Sequence, residues 1–189
     1  KLYRGMHILM DKPVTIKILA PNLANDQAIE KKFTDEVRVL SRLSHPNIPN
    51  VTDYGKDSDG TVFIVTDQSS SENLKTLVRS EGALTAEKTN RIVQQIASAL
   101  SSAHANGVVH QNLSSENIYI SKTADGTEFV KVLNFGAVSS NGNENFNDAN
   151  SVEYLAPEQI SDSESIDARS DIYSLGIITY EMLAGEVPF

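Results

Sequence analysis

Residues 169–184, RSDIYSLGIITYEMLA, form the stretch that most restricts how this chain can fold. The run is long enough for about four helical turns and carries few polar positions. A helix that is apolar around most of its circumference has to be covered by other elements on most sides. The rest of the chain must therefore supply a wrapping layer, and its periodicities can be read with that demand in mind.

Residues 12–20, KPVTIKILA, alternate around β-branched side chains and predict a strand that Pro21 closes. Lys1-Leu2-Tyr3 reads as the middle of an earlier strand. Ile29, Phe33, Val37, Leu40 and Leu43 recur in steps of four and three, which predicts a helix over 26–44. His45-Pro46-Asn47 breaks it. IPNVTDYG and TVFIVTD flank the polar turn KDSDG and predict a hairpin over 48–67. SSSEN at 69–73 reads as a polar link between two lobes. A long helix is expected over 86–105, with Thr85 as N-cap and Ile92, Ile96, Ala99, Leu100 and Ala103 on its buried face. Two short strands near 118–121 and 128–133 flank the Asp125-Gly126 turn. Residues 137–151 are rich in Ser, Asn, Gly and Asp and read as a loop. Strands with one helix, followed by a mostly helical half, make an α+β chain in two lobes, 1–68 and 69–189.

Composition narrows the function. There is no cysteine, which excludes disulfides and thiolate metal sites and is compatible with a reducing compartment; a cytoplasmic location is expected. The formal net charge is -9 and no basic stripe is visible, so nucleic acid is not an expected partner. No run of 18 apolar residues occurs, so no membrane span is expected within this segment.

Six short motifs in one order carry a resemblance. They are Val14-Thr15-Ile16-Lys17-Ile18-Leu19, then Glu36 in the following helix, His110-Gln111-Asn112-Leu113-Ser114-Ser115-Glu116-Asn117, Asn134-Phe135-Gly136, Ala156-Pro157-Glu158, and the run from Asp167 to Phe189. In order and spacing they resemble the V-A-I-K strand, the ion-pair glutamate, the H-R-D-L-K-P-E-N catalytic loop, D-F-G, A-P-E and the central large-lobe helix of protein kinases, in the style of bacterial eukaryotic-like Ser/Thr kinases. The resemblance covers essentially the whole chain. It implies a two-lobed protein-kinase-like α+β fold, truncated at both ends: the glycine-rich loop would precede Lys1 and further helices would follow Phe189.

The same resemblance marks where the chemistry departs. Asn112 stands where an Asp accepts the substrate hydroxyl proton, and an amide is not usefully basic near neutral pH. Ser114 replaces a Lys that would steady the transferred phosphoryl. Asn134 replaces the magnesium-binding Asp, which leaves Asn117 as a neutral partner in a metal site with no carboxylate. The resemblance therefore implies no intact catalytic residue and no metal site. Thr15 and Tyr119 stand on the roof and floor of the adenine slot, and they either narrow it or rotate clear. Lys17 and Glu36 either brace the small lobe as an ion pair or keep Lys17 turned towards nucleotide phosphates. No cofactor is expected beyond weak, magnesium-independent ATP binding. Leu40, Val51, His110 and Phe135 fall where the family stacks a spine through both lobes, and Asp171 falls where a carboxylate anchors its base. His7, His45 and His104 show no ligand spacing. Gln111 lacks the charge that would grip a phosphate carried by Ser139, Ser140 or Ser151. The expected function is a pseudokinase acting as a regulatory or scaffolding module for protein partners. The alternatives are a weak Ser/Thr protein kinase and a non-catalytic nucleotide sensor.

Overall fold

The computed structural model describes residues 2–19, 27–67, 72–123, 125–135, 152–161 and 166–189. The first half is a four-stranded antiparallel sheet with one helix. Strands β1 (Leu2–His7), β2 (Lys12–Ile18), β3 (Val51–Lys56) and β4 (Val62–Asp67) lie in the order β1-β2-β4-β3. Helix α1 (Gln27–Arg42) stands between β2 and β3 in sequence. Its apolar positions Phe33, Val37 and Leu40 are buried in one cluster with Leu19, Val62 and Ile64 of the sheet segment. The predicted strand, helix and hairpin are all present. Pro21 and residues 69–71 of the candidate link at 69–73 lie outside the described residues, and the last two residues of that link form β5 (Glu72–Asn73).

The second half is helical around a small sheet. β5 (Glu72–Asn73), β6 (Ile118–Lys122) and β7 (Glu128–Val132) pair antiparallel in chain order. Helix α2 (Leu74–Glu81) was not legible in the sequence. It has eight residues, too few for periodicity to declare, and it depends on its ends: the Asn73 side chain accepts from the Thr76 N–H, and Gly82 closes it at φ 75°. Helix α3 (Ala86–Ala105) begins at the predicted cap, Thr85, whose side chain accepts from the Lys88 N–H. Its predicted buried face is buried. After the short α4 (Pro157–Ser161), helix α5 (Ala168–Ala184) packs against α3.

The expectation that α5 is covered on most sides holds for one face only. Asp171, Ser174, Leu175, Ile178, Glu181 and Met182 are buried, whereas Ile172, Tyr173, Tyr180 and Leu183 are exposed within these 189 residues. Gly185 ends the helix in the left-handed region at φ 84°, with its N–H on the Glu181 carbonyl. An added Cβ would stand 3.2 Å from the Ala83 backbone nitrogen, so conformation favours glycine there and space for a side chain is tight.

Asn47 is one of the residues that tie the two halves together. The sequence marked 45–47 as a helix break and nothing more, yet Asn47 is 5% exposed and bonds to several partners. Its amide nitrogen donates to the Val130 carbonyl at 2.7 Å and to Gln95 Oε1 at 3.0 Å. Its carbonyl accepts from the Val132 N–H at 2.8 Å. Beside it, Lys131 Nζ reaches Asp67 Oδ2 at 2.7 Å and the Ile48 carbonyl at 3.1 Å. The segment before β3 and the end of β4 are thus fastened to β7, and Lys17 of β2 reaches Asn134 in the segment that follows β7. Among the described residues no helix is long and apolar enough to cross a membrane.

Candidate functional site

Asp171 organises the floor of the site from the first turn of α5. It is 1% exposed, and its two oxygens accept from the backbone N–H groups of His110 and Gln111, each at 2.9 Å. His104 Nε2 donates to the same carboxylate at 2.7 Å. These bonds hold Gln111 at φ 67°, a left-handed conformation that costs a non-glycine residue about 1–2 kcal/mol. Gln159 completes the support by donating to the Gln111 carbonyl at 2.6 Å and accepting from the Ala156 N–H at 3.0 Å. Asp171 was expected as an anchor. Its partner His104 and the brace Gln159 were missed, because nothing in linear spacing brings α3, the 110–117 loop and α4 together.

His110 is fully buried, and its Nε2–H donates to the Leu133 carbonyl at 2.9 Å. Its Nδ1 accepts from the Asn112 N–H at 3.3 Å. Those two bonds call for the neutral ring, and burial also pushes the His110 pKa down against the pull of Asp171. The ring packs on Phe135 with centroids 4.7 Å apart. Leu40 is buried in the same core as Phe135, and Val51 packs against it, so the four spine positions lie within one core.

Lys17, Asn134, Asn117 and Asn112 are brought together from β2, the segment after β7, and the loop before β6. Lys17 Nζ donates to Asn134 Oδ1 at 3.5 Å. Asn134 Nδ2 donates to Asn117 Oδ1 at 2.7 Å, and Asn117 Nδ2 donates to the Asn112 carbonyl at 2.8 Å. Asn134 takes φ 65°, a region that asparagine tolerates better than most residues. Backbone bonds support the row, with the Leu133 N–H on the Asn117 carbonyl at 2.8 Å.

The remaining candidates lie around this row. Ser114 is 1% exposed and faces the interior. Thr15 on β2 is 7% exposed, and Tyr119 on β6 is half-buried. Glu36 lies on α1, but its side chain is outside the described residues, as are Ser139, Ser140 and Ser151. A separate buried triad was not foreseen. Tyr154 donates to Glu181 Oε2 at 2.8 Å, and the Ser115 hydroxyl lies 2.8 Å from the Tyr154 hydroxyl and 3.3 Å from Glu181 Oε1. Burial raises the Glu181 pKa. A carboxylate inside the apolar run of α5 was the available signal, since a buried acid needs a partner.

Chemically, the row is neutral apart from Lys17. Magnesium prefers charged oxygen ligands in near-octahedral geometry. Here the two side chains at the expected metal positions are amides, and the nearer atom of Asn134 to Asn117 is an N–H donor. Among the described residues no group of three His, Cys, Asp or Glu could hold a metal ion. The residues do not fit the ion.

A family model described as protein kinase domain matches residues 1–189. The chain is 35% identical over 197 aligned residues to the serine/threonine-protein kinase pkn3 of Myxococcus xanthus, covering 100% of this chain and 36% of that protein. It is 34% identical to the serine/threonine-protein kinase PrkC of Bacillus subtilis, covering 100% of this chain and 29% of that protein. Among solved structures it is similar to the PknI kinase domain of Mycobacterium tuberculosis, with a TM-score of 0.77, 26% identity, and coverage of 100% of this chain and 70% of that one. The chain therefore spans about a third of the curated relatives it matches, and part of the solved kinase domain.

Proposed function

The chain belongs to the protein kinase family, with bacterial eukaryotic-like Ser/Thr kinases among its relatives, and from that premise we propose that it is a pseudokinase: a kinase-fold module that transfers no phosphoryl group and acts by binding protein partners in signalling. One observation carries the reading. Asn112, Asn117 and Asn134 stand together with no carboxylate in the row, and two of the three spend their side chains on each other. In this fold catalysis depends on positioning and electrostatics, with carboxylates for the nucleophile's proton and for magnesium. Amides supply neither. A missing general base alone costs about 10²–10⁴ in rate.

The test is transfer of labelled γ-phosphate from ATP to a generic protein substrate, with magnesium, by the full-length protein and by Lys17→Ala. No transfer above the Lys17→Ala background is expected. Transfer that Lys17→Ala abolishes would overturn the reading.

A slow Ser/Thr kinase is the second reading, and it is favoured by the names of the relatives at 34–35% identity. A nucleotide sensor is the third, favoured by Lys17, whose ammonium is directed at Asn134. For nucleotide we expect weak or absent ATP binding, unaffected by magnesium, with Thr15 and Tyr119 crowding the adenine side. Thr15→Ala/Tyr119→Leu is expected to gain ATP affinity in a thermal-shift titration, since a ligand of the native state raises the melting temperature by mass action. Tight magnesium-dependent binding by the wild type would move the sensor or the enzyme ahead of the scaffold.

A further inference from the structure

We propose that the amides of Asn134 and Asn117 replace a divalent cation as the clamp of this site, and that a carboxylate at 134 would undo the clamp unless a cation were added. The inference rests on the reading of this site as metal-free, and it concerns what holds the site shut rather than what the site catalyses.

Hydrogen-bond direction dictates the pattern of the row. The Asn112 carbonyl can only accept, so Asn117 must turn its Nδ2 towards it, at 2.8 Å. That leaves Asn117 Oδ1 as an acceptor, and Asn134 must present Nδ2 to it, at 2.7 Å. Asn134 Oδ1 is then directed at Lys17, which can only donate, at 3.5 Å. With an acceptor fixed at one end and a cation at the other, the two positions between must each donate and accept. Asparagine does both. Aspartate at 134 would set an oxygen against Asn117 Oδ1. Turning Asn117 over would only move the clash to the Asn112 carbonyl. One acceptor-to-acceptor junction remains in either case, and a cation bound between oxygens is what relieves it. The two asparagines thus work as a matched pair, although only Asn134 departs from the pattern that the chain resembles.

The clamp has a structural consequence. Asn134 immediately precedes Phe135, which is fully buried against His110. Leu133 is held on both sides, its N–H on the Asn117 carbonyl and its carbonyl on His110 Nε2. The row therefore fastens the 133–135 segment with Phe135 packed, with neither nucleotide nor metal required. A partner that reads the packed form would find it present at all times.

The experiment compares melting of the full-length wild type, Asn134→Asp and Asn134→Leu, without nucleotide, in EDTA and in millimolar magnesium chloride. The wild type is expected to melt at the same temperature in both. Asn134→Asp should melt lower in EDTA by about 3–8 °C, the scale of one part-buried unsatisfied polar contact in a domain of this size, and magnesium should recover most of the loss. Asn134→Leu should lose stability with no recovery. Asn117→Asp, which places an oxygen against the Asn112 carbonyl, gives the same expectation should Asn134→Asp fail to fold. Equal melting of Asn134→Asp and wild type in EDTA, or a wild type that magnesium stabilises, overturns the clamp. Because no nucleotide or substrate is present, phosphoryl transfer by the wild type would sink the pseudokinase reading and leave this result standing, and the reverse also holds.

Discussion

Asp171→Ala is expected to destabilise this domain by about 3–5 kcal/mol, the range seen when a partner is removed from a buried charged network. The carboxylate is 1% exposed and accepts three hydrogen bonds, from the His110 and Gln111 backbone and from His104 Nε2. Alanine leaves two backbone N–H groups without an acceptor, and each unsatisfied buried group costs about 1–3 kcal/mol. It also removes the bonds that hold Gln111 at φ 67°, so the loop gains a reason to relax. The melting temperature should fall by about 10 °C. Asp171→Asn keeps one oxygen acceptor and should lose less. Chemical denaturation of wild type and both variants checks the order. A loss at Asp171→Ala of less than about 1 kcal/mol, close to the usual size of surface effects, would show that the loop is held by other contacts.

The second large effect is a failure of rescue. Asn112→Asp/Asn134→Asp restores both carboxylates of the family's catalytic pattern, yet the double variant is expected to remain at least about 100-fold below the usual kinase kcat of roughly 1–100 s⁻¹. Ser114 is buried and uncharged, so it cannot take the place of a lysine at the transferred phosphoryl. Thr15 on β2 is buried, at the position that the kinase pattern gives to the roof of the adenine slot. Gln111 has no charge to offer and is tied by its backbone to Asp171 and Gln159. Single-turnover transfer with saturating magnesium and ATP measures the outcome. A double variant that reaches the ordinary range would mean that two carboxylates are the whole difference between this chain and an active kinase.

The elements with long, regular periodicity are legible in the amino-acid sequence. α1 and α3 carry apolar residues at helical spacing, α5 is a long apolar run, and the two hairpins flank turn residues, so local chemistry chose their conformation. The helix α2 is not, since eight residues held by an Asn cap and a Gly stop carry too little pattern. The site divides the same way. Motif order named Lys17, Asn112, Ser114, Asn117 and Asn134 as positions, because each residue type shows its own charge and acid–base capacity in the sequence.

What those positions do together was decided in three dimensions. That Asn134 donates to Asn117, and Asn117 to the Asn112 carbonyl, follows from a φ of 65° at Asn134 and from bonds at Leu133 that only the packed fold can impose. Asn47, His104 and Gln159 looked ordinary in the sequence, and they became structural once the segment before β3 met β7, α3 met α5 and α4 met the 110–117 loop. Which groups lack charge is readable from the amino acids alone, since charge is a property of single side chains. Which donor faces which acceptor is set by the folded packing, since hydrogen-bond direction depends on residues 5, 17 and 117 positions apart in the chain being held within reach of each other.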